Sequence, residues 1–220
     1  MASQASLPHE ATDPRASRTT TGSVPPRPPD RLGGTKGNEV LTSTAAVLLV
    51  ALLAAEGFTI VHMRGLVTVH MFIGMVLIPP VLLKLASTGY RAARYYAGSR
   101  AYRAKGPPLL PLRLLAPVLV ATTTAVFLSG VLLLVAGHKS GTVLEIHKVS
   151  FIVWGVMFAV HLLAYLPRVW RSVRIDWGAA RGEAVPGAGL RAMLLAAAAG
   201  GGAALAMSLL PAMRAWHGGH

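Results

Sequence analysis

The sequence contains no cysteine, so disulfides, thiolate metal ligands and cysteine-held iron–sulfur clusters are excluded. Charge is also scarce. Asp, Glu, Lys and Arg make up 13% of the residues, against 53% that are hydrophobic. Acidic residues are rarest of all, 8 against 21 Lys and Arg. No segment repeats at a fixed period. With 220 residues the length fits one or two domains, and it is the distribution of the apolar residues that decides the class.

Those residues fall into five blocks, Val40–Val61, Gly65–Ser87, Leu114–Gly137, Val143–Leu166 and Leu190–Pro211. Each approaches the roughly 20 residues that cross a bilayer core as a helix. The first is the weakest, because its strictly apolar part is Ala45–Ala55 and Glu56 interrupts it. A cleaved signal peptide would also produce a short apolar run ending in small residues, but the 39 residues ahead of Val40 are too long and too weakly basic for one. The expectation is an all-α integral membrane protein: a four-helix transmembrane bundle with a fifth, C-terminal transmembrane helix packed outside it.

A net charge of +13 invites a nucleic-acid reading until its placement is examined. Arg91, Arg94, Arg100, Arg103, Lys105 and Arg113 share the first long connection with no acid between them, and Arg168, Arg171, Arg174, Arg181 and Arg191 dominate the other. The short connections hold Arg64 and Lys139. This alternation is the positive-inside pattern and puts the N-terminus and both long loops in the cytoplasm. The charge therefore reports topology and contact with anionic membrane lipids, and no nucleic-acid partner is expected.

Residues 1–37 carry six prolines among Ser, Thr and Gly and cannot build a core, so a disordered cytoplasmic tail is expected there. The remaining division is 38–167 for the four-helix domain, 168–189 for a basic cytoplasmic loop, and 190–220 for the fifth helix with a short outer tail. Pro79 and Pro80 remove two donors from the second span and predict a kink. The tyrosines and arginines of 87–111 read as an interfacial anchor or as a docking surface for a soluble partner. The small residues of LRAMLLAAAAGGGAALAMSLLP suit close helix packing or a merely permissive span.

Of the eight histidines, three fall at membrane depth: His70, His147 and His161. Imidazoles there are costly and face the bundle interior with a partner. From the expected topology, His70 lies about 9 Å below the outer start of the second helix and His147 about 8 Å below that of the fourth. Two histidines on different helices at one depth form a bis-imidazole haem site, or else a hydrogen-bonded structural pair or a proton relay. His161 follows His147 by fourteen residues, about 21 Å along one helical stripe that also holds Phe151, Trp154 and Phe158. For a haem at His70 and His147, Gly74 would leave room for the porphyrin edge, and Phe151 and Trp154 would wall it. Lys84 mirrors His161 in depth and reads as a snorkelling cation or a partner for a propionate. Glu56 is either an interfacial group or a functional proton acceptor. His62 reads as a loop residue, and His217 and His220 as part of the outer tail.

A fourth helix with histidines fourteen apart, and a further candidate ligand on the second, resembles the bacterial membrane-bound cytochrome b subunits. These are the cytochrome b-561 type and the gamma subunits of formate dehydrogenase and nickel hydrogenase. The stretch LLKLASTGYRAARYYAGSRAY is similar to bacterial membrane proteins grouped with them. The resemblance covers about Val40 to Pro167. It implies a haem b between His70 and His147, and an inner haem at His161 that the family completes with a histidine on the first helix, where this sequence has none. One haem is thus expected, or two if His161 finds another partner. The resemblance further implies electron transfer between the quinone pool and a partner oxidoreductase, in a multi-pass protein of the bacterial inner membrane. The competing readings are a haem-free scaffold or accessory subunit, and a proton-coupled transporter using Glu56 and the histidines.

Overall fold

A computed structural model describes residues 33–104, 106, 110–136, 141–179 and 185–216, with backbone alone along 168–179. It is all-helical over those residues. The helices are α1 (Gly34–Val61), α2 (Met63–Tyr96), α3 (Arg100–Arg103), α4 (Leu110–Ala136), α5 (Gly141–Ala179) and α6 (Ala188–Ala215). All but the short α3 are long and apolar enough to cross a membrane, so the chain is an all-α, multi-pass membrane protein. Most of the tail 1–37, His9, His138, Lys139, His217 and His220 lie outside the described residues.

The helices run past the expected spans. Where 1–37 reads as coil, Gly34–Gly37 already open α1. Past Ser87, α2 continues to Tyr96, and α5 crosses Pro167 and runs to Ala179 through what reads as loop. Hydropathy marks where a helix leaves the apolar layer, not where its backbone ladder ends. Alanines and arginines in these extensions are good helix formers. The backbone of α2 departs from helical angles at Leu66 (φ −122°, ψ 17°), not at Pro79 or Pro80 as expected. With His62 (φ −110°, ψ 32°) it forms the turn that folds α2 back on α1.

Polar contacts fix the register of that hairpin. Thr42 meets Lys84, whose Nζ donates to the Thr42 carbonyl at 2.7 Å. Glu56 meets His70 at 3.0 Å. Advancing fourteen residues along α1 thus retreats fourteen along α2. Helices α4 and α5 form a second antiparallel pair, with Trp154 Nε1 donating to Thr123 Oγ1 at 3.0 Å and Ser129 facing His147. The two tight pairs meet each other more lightly, α1 against α5 and α2 against α4. Around the bundle the order is therefore α1, α2, α4, α5, and α2 and α5 are diagonal.

The fifth span, α6, packs along α2 and also touches α1. Its buried positions Ala198, Gly202 and Ala206 recur every four residues, the spacing of a small-residue seam. Gly202 is required there, since a Cβ would collide with the Val76 carbonyl of α2. Gly200 and Gly201 have open space around them. The core that results joins Met75 of α2, Leu134 of α4, and Ala206 and Met213 of α6. Trp216 ties the end of α6 to α4 by donating to the Leu133 carbonyl at 3.2 Å.

Candidate functional site

Four helices place a polar cluster in the half of this bundle that holds the α1–α2 turn. Helix α5 presents one half-buried stripe, His147, Phe151, Trp154, Phe158 and His161, while the remaining faces of its span are largely exposed. The three aromatic rings stack in sequence, Phe151 on Trp154 at 6.0 Å and Trp154 on Phe158 at 4.8 Å between centroids. They form a ladder along α5, and Trp154 spends its N–H on Thr123.

His70 and His147 come together across the diagonal. Their ring centroids are 6.4 Å apart and the rings are near-perpendicular, at 76°. His147 Nδ1 stands 3.1 Å from the Val126 carbonyl. A carbonyl can only accept, so this nitrogen carries the hydrogen and Nε2 keeps a lone pair in the neutral ring. Ser129 supports the same tautomer. Its hydroxyl donates to the Ala125 carbonyl at 2.6 Å, leaving its oxygen to face Nδ1 at 3.0 Å.

His70 repeats the arrangement with different chemistry. Thr59 Oγ1 donates to the Glu56 carbonyl at 2.6 Å, and its oxygen lies 3.2 Å from His70 Nδ1. Glu56 Oε1 lies 3.0 Å from the same nitrogen. Burial is substantial, with side-chain exposures of 20% for His70 and 13% for Glu56, so neither group could be held there cheaply without the other. Thr59, at 2% exposure, is fully enclosed. Both histidines therefore engage Nδ1, and among the described residues neither Nε2 has a protein hydrogen-bond partner.

Two glycines sit differently from the sequence expectation. A Cβ on Gly74 would stand 3.6 Å from Glu56 Oε1, so this glycine borders the carboxylate. The glycine pressed by a ring is Gly130, where a Cβ would come within 3.2 Å of His147 Cε1. Ser129 and Gly130 together let the imidazole lie against α4.

The opposite half is built otherwise. His161 packs against Tyr165 of its own helix at 4.7 Å between ring centroids, with no second imidazole beside it among the described residues. Lys84 is close enough to act on it electrostatically, and one of its three donors goes to the Thr42 carbonyl. Asn38, Thr42 and Ser87 complete this region. Asn38 Nδ2 donates to the Ser87 carbonyl at 3.3 Å, and the Thr42 and Ser87 hydroxyl oxygens stand 3.1 Å apart. His62, in the α1–α2 turn, bonds the Phe58 carbonyl of α1 at 3.0 Å and takes no part in the site.

Sequence reasoning did not find Thr59, Val126 or Ser129. Val126 acts through its carbonyl, which no side chain signals. Thr59 and Ser129 carry a faint mark, as hydroxyl residues one turn from Glu56 and beside Gly130. Among the described residues, no three His, Asp or Glu side chains converge to hold a metal ion by themselves. The chain matches no protein-family model, no curated protein and no solved structure.

Proposed function

We propose that this chain is a b-type haem protein of the bacterial inner membrane, with His70 and His147 as the axial ligands and the N-terminus in the cytoplasm. The observation that carries this reading is the pair itself: two imidazoles on diagonal helices, each with Nδ1 held by neighbours and with Nε2 lacking a partner among the described residues. Metal-binding histidines characteristically donate the other ring N–H to a carboxylate or a backbone carbonyl, which fixes tautomer and ring orientation. Both acceptors are present, Glu56 on one side and Val126 on the other.

The spacing supports the same reading. Nitrogens each about 2 Å from a metal between them set imidazole centroids about 6 Å apart, and these stand at 6.4 Å. Two protein ligands suffice where a macrocycle supplies the other four. The lighter contact between the α1–α2 and α4–α5 pairs is the seam in which a flat group would lie, and cofactor sites in bundles are built from facing helices in this way.

Haem in such a site supplies one-electron chemistry. The chain's residues would do the rest: His70 and His147 would hold the haem, Gly130 gives His147 its place, and apolar walls would lower the dielectric. Electrons would pass between the quinone pool and a partner oxidoreductase, in keeping with the resemblance to membrane-bound cytochrome b subunits. Among the described residues His161 does not have the acceptor and facing ring found at the His147 end, so one haem per chain is the expected load. The test is a dithionite-reduced minus oxidised spectrum of the purified protein, with haem quantified per chain. A b-type band at one haem per chain, absent from His70→Ala, is the expected result. A protein produced with ample haem that shows no band would falsify the reading.

A further inference from the structure

The two imidazoles are held by unlike partners. His147 Nδ1 meets a neutral carbonyl and a hydroxyl, at 3.1 and 3.0 Å. His70 Nδ1 meets a hydroxyl and a carboxylate, at 3.2 and 3.0 Å. Thr59 Oγ1 also lies 3.3 Å from the second oxygen of this carboxylate, and Gly74 of α2 borders it.

We propose that Glu56 is a positioning residue that makes the two axial ligands electronically unequal and holds the potential of the bound haem low. This rests on the bis-imidazole reading above. A hydrogen bond to a carboxylate is roughly twice as strong as one between neutral groups, and it raises the basicity of the imidazole that donates it. A more electron-rich His70 stabilises ferric over ferrous iron. His147, donating to neutral oxygens, lacks this effect. Helix α1, which carries no histidine in its span, thereby acts on the site from behind the α2 ligand.

The experiment uses the full-length purified protein and compares wild type with Glu56→Gln, Glu56→Leu and Glu145→Gln. Glu145 is an exposed carboxylate paired with Lys148 at 2.9 Å, near the same end of α5, and it controls for charge alone. Two quantities are read: the midpoint potential from a redox titration, and the low-temperature electron paramagnetic resonance spectrum of the ferric form. Glu56→Gln is expected to keep one haem and raise the potential by about 59 mV, a tenfold change in the oxidised-to-reduced ratio of a one-electron couple. Glu56→Leu should shift at least as far and alter the resonance spectrum, with Glu145→Gln matching wild type. Unchanged potentials and spectra in both Glu56 variants would overturn the role of Glu56 and leave the ligand pair standing. Equal shifts in Glu56→Gln and Glu145→Gln would overturn it too, by assigning the effect to charge at a distance. A wild-type protein without haem would remove the ligand pair and this inference together.

Discussion

The two ends of the α5 stripe carry the same residue and offer it opposite surroundings. At one end His147 has a carbonyl and a hydroxyl behind it and a second imidazole in front. At the other end His161 has Tyr165 beside it and a lysine nearby. A histidine at membrane depth is thus not by itself a ligand. On the proposed reading it serves as one where an acceptor fixes Nδ1 and Nε2 is left to a metal. At the His161 end, polar groups of α1 and α2 bond each other and set the register of the hairpin.

The sharpest way to break this contrast is to remove each histidine in turn. His147→Ala should lose all haem, while His161→Ala should retain one per chain with an unshifted spectrum. Loss in both, measured by haem content after purification, would make the two ends equivalent. A smaller effect is expected from Gly202→Leu. Val76, the residue Gly202 touches, lies between His70 and Lys84 on α2, so pushing α6 away disturbs both ends. Overpacking of this kind costs about 1–3 kcal/mol, read as a lower midpoint of thermal or denaturant unfolding in detergent together with weaker haem retention. The smallest effect belongs to Asn38→Ala. Losing one buried interhelical hydrogen bond in a membrane protein costs about 1 kcal/mol. It should lower the unfolding midpoint and leave any haem spectrum unchanged; a spectral change would show that the inner cluster reaches the outer site.

Much of this architecture was readable from hydropathy and depth alone. Five apolar blocks become five spanning helices, and the fourteen-residue spacing of His147 and His161 becomes one inward stripe. The depths expected for His70 and His147 bring them to the same level, where their rings meet. Other features resisted for identifiable reasons. Glu56 read equally well as an interfacial group because nothing in a sequence fixes the turn that lays α1 on α2. That turn is set by backbone angles at His62 and Leu66, between residues with no proline or turn motif to announce it. Lys84 donates to the Thr42 carbonyl, a main-chain contact that no residue letter announces. The tautomer at His147 depends on Val126 only through main-chain atoms, and a carbonyl has no letter of its own. The small-residue run in α6 announced close packing but not which of its three consecutive glycines carries it; only contact with Val76 singles out Gly202.

The turn between α1 and α2 has a consequence for how this chain can vary. Helix α1 ends at Val61 and α2 begins at Met63, so no slack separates Glu56 and Thr59 from His70. Connections between helices ordinarily tolerate insertions and deletions. Here one added or deleted residue would turn α2 by about 100° and slide it about 1.5 Å, carrying the imidazole off both of its acceptors. Letters in the turn are free to change. Its length is not, and relatives that keep this site should keep the eleven-residue interval from Thr59 to His70.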